Sequence, residues 1–147
     1  MVGRHSMNVL RMSIPPLPRF AGTARRALSQ FAGVHSVESF DLQSLVFALG
    51  EAIANAIQHA ETHEAIEINA RVSGDSIVIT VSDHGRGISA PPHGTVSFPS
   101  AYAEAGRGFA IMQRCTDFLE VESEPGSGTV VRMGRYRRPG QDLDTAS

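Results

Sequence analysis

A carboxylate and a carboxamide stand one helical turn apart at Glu51 and Asn55, with His59 one turn further on. Residues four apart share one side of a helix. Glu51 is the only formal charge between Leu42 and Ala60, a stretch otherwise apolar, small or amide-bearing apart from His59. An ionised carboxylate in such surroundings costs free energy unless something polar sits against it, such as a metal, a phosphate or a reacting hydroxyl. A half-buried Glu bonded to neighbouring backbone fits the same pattern, because structural pairs also bury carboxylates.

Two glycine-punctuated segments follow. Ser82-Asp83-His84-Gly85-Arg86-Gly87-Ile88 leads an acidic residue into two glycines spaced by one. Such glycines let backbone approach a flat ligand closely, and Asp83 can accept a hydrogen bond from an exocyclic amine. An Asp that only starts a turn has the same signature. Gly106-Arg107-Gly108-Phe109 then opens a helix, so unpaired backbone N–H groups and the positive end of the helix dipole face whatever precedes it. A polyphosphate fits there, although a glycine pair also serves a tight turn. Residues 89–105, rich in Pro, Gly, Ser and Ala, make a loop of the length used for lids.

These groups need elements to position them. Leu42, Leu45, Val46, Leu49, Ile53, Ile57 and Ala60 recur with helical spacing and predict one long buried helix, with Asp41 as its cap. Asn8 to Ile14 predicts a short strand stopped by Pro15, Pro16 and Pro18, and Arg19 to Phe31 a helix. Ile66 to Val72 and Ile77 to Val81 alternate around Ser73-Gly74-Asp75, which reads as a hairpin with one buried face. A second hairpin is predicted from Phe118 to Ser123 and Thr129 to Tyr136, with a helix from Gly108 to Arg114 between the two. Hairpins segregated from helices argue for an α+β sandwich: one mixed, mostly antiparallel sheet covered on one face. Residues 1–6 read as an extension without an assigned role, 7–136 as one domain, and 137–147 as a polar, disordered tail.

Bulk properties narrow the function. The 147 residues carry a net charge of −2, so no global field draws the chain to nucleic acid or anionic lipid. Every basic residue is Arg, which excludes a P-loop lysine and lysine Schiff-base chemistry. Cys115 is the only cysteine and reads as a small buried hydrophobe. No apolar run is expected to span a bilayer, and a soluble, cytoplasmic protein is expected. His35, His63, His84 and His93 show no metal-ligand spacing and read as surface residues.

Taken in order, the Glu51/Asn55 helix, the Asp83-x-Gly85-x-Gly87 turn and the Gly106-x-Gly108 helix start resemble the ATP-binding domain shared by gyrase, Hsp90, histidine kinases and MutL. Phe47 to Ala60 is similar to its N box, Asp83 to Gly87 and Gly106 to Met112 to its glycine boxes, and Gly128-Thr129 to its terminal motif. The likeness implies a Bergerat-type two-layer α/β sandwich. Within that group, Glu51 to His59, Gly106 to Met112 and the single-domain size resemble bacterial anti-sigma factors that are also serine kinases.

The resemblance implies ATP and Mg²⁺ as ligands. Asn55 would give its amide oxygen to Mg²⁺, Asp83 would hold the adenine amine, and Thr129 would support that contact. Gly85 and Gly87 would clear room for the base, while Gly106, Arg107 and Gly108 would offer donors to the phosphates. Glu51 would be the general base for an incoming serine hydroxyl. Related kinases often carry a basic residue where this chain has Tyr102, Ala103 and Glu104, and Arg107 would supply that charge here. Implied partners are a STAS-domain antagonist carrying the serine, a sigma factor and a second copy of the chain, with no direct nucleic acid and no membrane. A nucleotide-binding module without transfer and the catalytic piece of a sensor histidine kinase are the competing readings.

Overall fold

The computed structural model describes residues 4–6, 8–59, 63–85, 95–96, 107–124 and 126–137. Seven strands form one sheet: β1 (Arg4–Ser6), β2 (Val9–Ile14), β3 (Ile66–Val72), β4 (Ser76–Asp83), β5 (Thr95–Val96), β6 (Phe118–Glu124) and β7 (Gly128–Tyr136). Their spatial order is β1-β2-β3-β4-β7-β6-β5, and each described ladder is antiparallel. Three helices, α1 (Ala21–Val34), α2 (Ser39–His59) and α3 (Arg107–Cys115), complete the expected α+β sandwich.

Alternation decides which face of the sheet is covered. Ile66, Ile68, Ala70 and Val72 on β3 and Ile77, Ile79 and Val81 on β4 are buried, while Glu67, Asn69 and Arg71 are exposed on the opposite face. Period-2 patterning of this kind specifies register, since a one-residue slip would expose the whole apolar set. The hairpin turn is closed by Ser73, whose Oγ accepts from the backbone N–H groups of Asp75 (3.3 Å) and Ser76 (3.2 Å).

Helix α1 begins after a 3-10 turn over Pro18–Phe20, two residues later than the periodicity predicts, and buries Ala24, Leu28, Phe31 and Ala32 on one stripe. Helix α2 is the centrepiece, packing on α1, α3, β4 and β7. Leu45, Leu49 and Ile53 are fully buried as expected, and Ala48, Ala52 and Ala56 join them. Contrary to the expectation of no bilayer-length run, Ser39–Gln58 has the length and mean hydropathy (1.2) of a membrane span. Its burial on the sheet makes it a core helix instead.

The start of α2 corrects one expectation. Asp41 is not the cap. The helix begins three residues earlier than predicted, and Glu38 serves that end, its Oε1 accepting from Phe40 N–H at 3.1 Å and its carbonyl from Leu42 N–H at 2.9 Å. Asp41, 3 % exposed, instead accepts from Arg135 Nε on β7 at 2.7 Å. Arg135 also donates through Nη1 to the Cys115 carbonyl at the end of α3 (3.2 Å) and stacks its guanidinium over Phe40. One cation therefore sits at the carbonyl end of α3 and one anion at the amide end of α2, the favourable sign for both helix dipoles.

Removing one member of such a pair leaves a buried charge without its counterion. Arg135→Met is expected to destabilise the fold by about 3–5 kcal/mol, with an apolar replacement of both Arg135 and Asp41 restoring much of the loss. Denaturant unfolding of the two single variants and the double variant measures this.

Candidate nucleotide-binding site

Helix α3 starts against the polar side of α2. A Cβ placed on Gly108 would lie 3.0 Å from Glu51 Oε2 and 3.6 Å from both the nitrogen and the oxygen of the Asn55 carboxamide. Glycine is what lets the two helices meet there. The same packing buries Asn55, which is 5 % exposed although it lies off the main apolar stripe. Among the described residues its Nδ2 has no hydrogen-bond partner. A buried donor without a partner costs about 1–3 kcal/mol, so such an atom points to a ligand or water that completes it.

Glu51 is half-buried at this junction. Besides facing Gly108, it lines a groove of 660 Å³ between α1 and α2, together with Arg25, Ser29, Phe47 and Gly50. The carboxylate thus stands between the N-terminus of α3 and an open cleft. Backbone N–H groups of the first turn of α3 and the positive end of its dipole lie beside it, an arrangement that attracts anions.

A second polar group forms at the end of the sheet. Asp83 ends β4 and is paired in register with Thr129 on β7. Its Oδ1 accepts from Gly85 N–H at 2.9 Å, and both Asp83 and Thr129 are buried. Gly128 makes the close approach possible: its φ is +102°, and a Cβ there would overlap the Asp83 carbonyl. Ser123, whose role the sequence did not disclose, lies on Thr129 with an Oγ to Oγ1 distance of 3.1 Å. Its position in the buried phase of β6, after Val121, was the available signal.

Glu51, Asn55 and Gly108 are thus brought together, and so are Asp83, Gly85 and Thr129, with α2 packed on the β4 and β7 strands that carry the second group. Gly87 and Gly106 lie outside the described residues, as do Arg86 and most of the 89–105 loop, and only the backbone of Arg107 and His59 is described. His84 is exposed, with Nε2 3.1 Å from Glu67 Oε2. Burial, with Glu51 adding and Arg135 opposing, pushes the Cys115 thiol above its ordinary value, which keeps it protonated and unreactive at neutral pH.

The model of the histidine kinase-like ATPase domain matches residues 14–135. The chain belongs to that family. An anti-sigma F factor of Thermoanaerobacter sp. (strain X514) is 36 % identical, over 77 % of this chain and 82 % of the relative. The serine-protein kinase RsbW of Bacillus pumilus is 31 % identical, over 95 % and 93 %. Among solved structures, the RsbU and RsbW domains of a Mycobacterium tuberculosis protein superpose with a TM-score of 0.68 at 18 % identity, covering 92 % of this chain and 34 % of that longer one. That likeness is one of fold. The family accounts for nucleotide binding by this ATPase domain.

Gly128→Ala should show how tightly the Asp83–Thr129 end of the ATPase domain is built. Left-handed backbone and the overlap with Asp83 are expected to cost about 2 kcal/mol or more. Thermal unfolding of the variant measures this, and an unchanged midpoint would contradict the close approach.

Proposed function

We propose that this protein is an ATP-dependent serine kinase and anti-sigma factor, which phosphorylates a STAS-domain antagonist and sequesters a sigma factor in the cytoplasm. The observation that supports it most is the contact of Gly108 with Glu51 and Asn55, which sets a carboxylate and a carboxamide against the anion-attracting end of α3. The names of the relatives, anti-sigma F factor and serine-protein kinase RsbW, supply the class of partner.

In this reading Asp83 and Thr129 hold the adenine, Gly85 and Gly87 make room for the ring, and Gly106, Arg107 and Gly108 receive the phosphates. Asn55 fits a divalent ion through the neutral oxygen of its buried carboxamide, and its Nδ2, which lacks a partner among the described residues, suits an acceptor such as a phosphate oxygen. Among the described residues no cluster of three His, Cys, Asp or Glu competes for such an ion. Mg²⁺ at this position would neutralise charge on the phosphate oxygens.

Glu51 takes the proton from the serine hydroxyl as its oxygen bonds to the terminal phosphorus and the bond to the ADP oxygen breaks. Its place on the wall of the α1–α2 groove gives an incoming serine access from outside. A second copy of the chain completes the assembly proposed.

Labelled ATP, Mg²⁺ and a STAS-domain protein form the test. Wild type is expected to transfer label to a serine, and Glu51→Gln to lose about 10²–10⁴-fold in transfer rate while still binding ATP. ATP binding by wild type without transfer would favour a regulatory module over a kinase. Gly108→Ala probes the junction separately: helix propensity favours Ala by about 1 kcal/mol, so stability should hold or rise while ATP affinity falls. Thermal unfolding and calorimetric titration of that variant read the two effects apart.

A further inference from the structure

The close approach at Gly108 requires that α3 stop at one place along its own axis. Phe109 and Met112 bury their side chains in the core and hold the helix down. Apolar contact is non-directional, so it presses a helix onto its neighbours without fixing where it lies lengthwise. A directional bond does fix it, and one is found at the far end. Arg135 Nη1 donates at 3.2 Å to the carbonyl of Cys115, the last residue of α3. Through Nε the same guanidinium donates at 2.7 Å to Asp41 Oδ1, in the first turn of α2.

A guanidinium suits this double task. Its N–H donors form a rigid planar fork, so one group sets both the distance and the angle between two acceptors. The side chains of Arg135 and Asp41 are largely shielded from solvent, and water competes little for these bonds. Gly108 and Cys115 stand at opposite ends of α3, about 10 Å apart along the axis. Arg135 is therefore remote from anything at the N-terminus of α3, yet it joins the helix that supplies that N-terminus to the helix that carries Glu51 and Asn55.

We infer that Arg135 is a positioning residue for the nucleotide: by tying the Cys115 carbonyl to Asp41 it registers α3 against α2, and so sets the affinity of the α3 N-terminus for phosphate without touching the ligand. The inference rests on the reading above in which that N-terminus receives the phosphates of ATP. Its effect on binding separates from its effect on stability. Asp41 needs Arg135 as a counterion, whereas the nucleotide site needs the bond from Arg135 to Cys115.

The experiment compares two variants that should rank in opposite order for stability and for ATP binding. Asp41→Asn removes the counterion but keeps an oxygen for Arg135 Nε and leaves the Cys115 bond in place. It is expected to unfold at lower denaturant than wild type and to bind ATP with an unchanged Kd. Asp41→Leu combined with Arg135→Met replaces the pair by apolar groups and removes the Cys115 bond. It should be the more stable of the two, with Kd for ATP raised about tenfold, the equivalent of one charge-assisted hydrogen bond. Denaturant unfolding and calorimetric titration with ATP in Mg²⁺, at a temperature where each variant is fully folded, read the two rankings. Should the apolar double variant fail to fold, Asp41→Asn with Arg135→Gln gives a neutral hydrogen-bonding pair whose shorter side chain cannot span both acceptors, and the same rise in Kd is expected.

ATP binding that follows stability across the variants, or a wild-type Kd in the folded double variant, would reduce Arg135 to a fold-stabilising residue and overturn its positioning role alone. Absence of ATP binding by wild type would overturn the nucleotide reading and this inference together.

Discussion

Two helices meet in this protein at a point where a side chain fits only if the Glu51 carboxylate gives way. Gly108, at the start of α3, approaches so closely that even a methyl group would press on the Glu51 carboxylate and touch the Asn55 carboxamide. The Glu51–Asn55 half of the site depends on that contact. It brings the amide end of a helix dipole to a carboxylate and a carboxamide, and it buries Asn55 beyond the reach of bulk water. A bulkier residue at position 108 would hold the helices apart and let solvent satisfy both polar groups.

The contact is held from a distance. Helix α3 is nine residues long, a rod of about 13 Å. At its far end the Cys115 carbonyl accepts from Arg135, which also grips Asp41 in the first turn of α2. The two helices are thus tied at one end by an ion pair and meet at the other through a glycine. Beneath them the sheet changes from apolar rows to the polar row of Asp83, Thr129 and Ser123, so this polar group is an extension of strand register. Helix packing sets the Glu51–Asn55–Gly108 junction, and the hydrogen-bond ladder sets the Asp83–Thr129 group.

How much of this was legible in the sequence follows from the range of each interaction. Local periodicity disclosed α2, both hairpins and the helix after Gly106, because burial on one face imposes a repeat that needs no knowledge of the partner. Glu51, Asn55, Asp83 and Thr129 were legible as an ordered set of motifs. Asp41 was misread as a cap because an Asp before an apolar run is a capping signal, whereas its partner, Arg135, lies 94 residues away. The contact of Ser123 with Thr129 was invisible for the same reason, since it exists only once β6 and β7 are in register. The burial of Asn55 was hidden because the element that covers it, α3, comes more than 50 residues later in the chain.

Nuclear magnetic resonance of the wild-type chain during titration with Mg²⁺ and ATP tests the central claim most directly. The account predicts that the Asn55 side-chain amide, the Gly108 backbone amide and the Gly85 backbone amide shift together along one saturable binding curve. Saturable shifts elsewhere with these three signals unmoved, or no shifts at millimolar nucleotide, would contradict it.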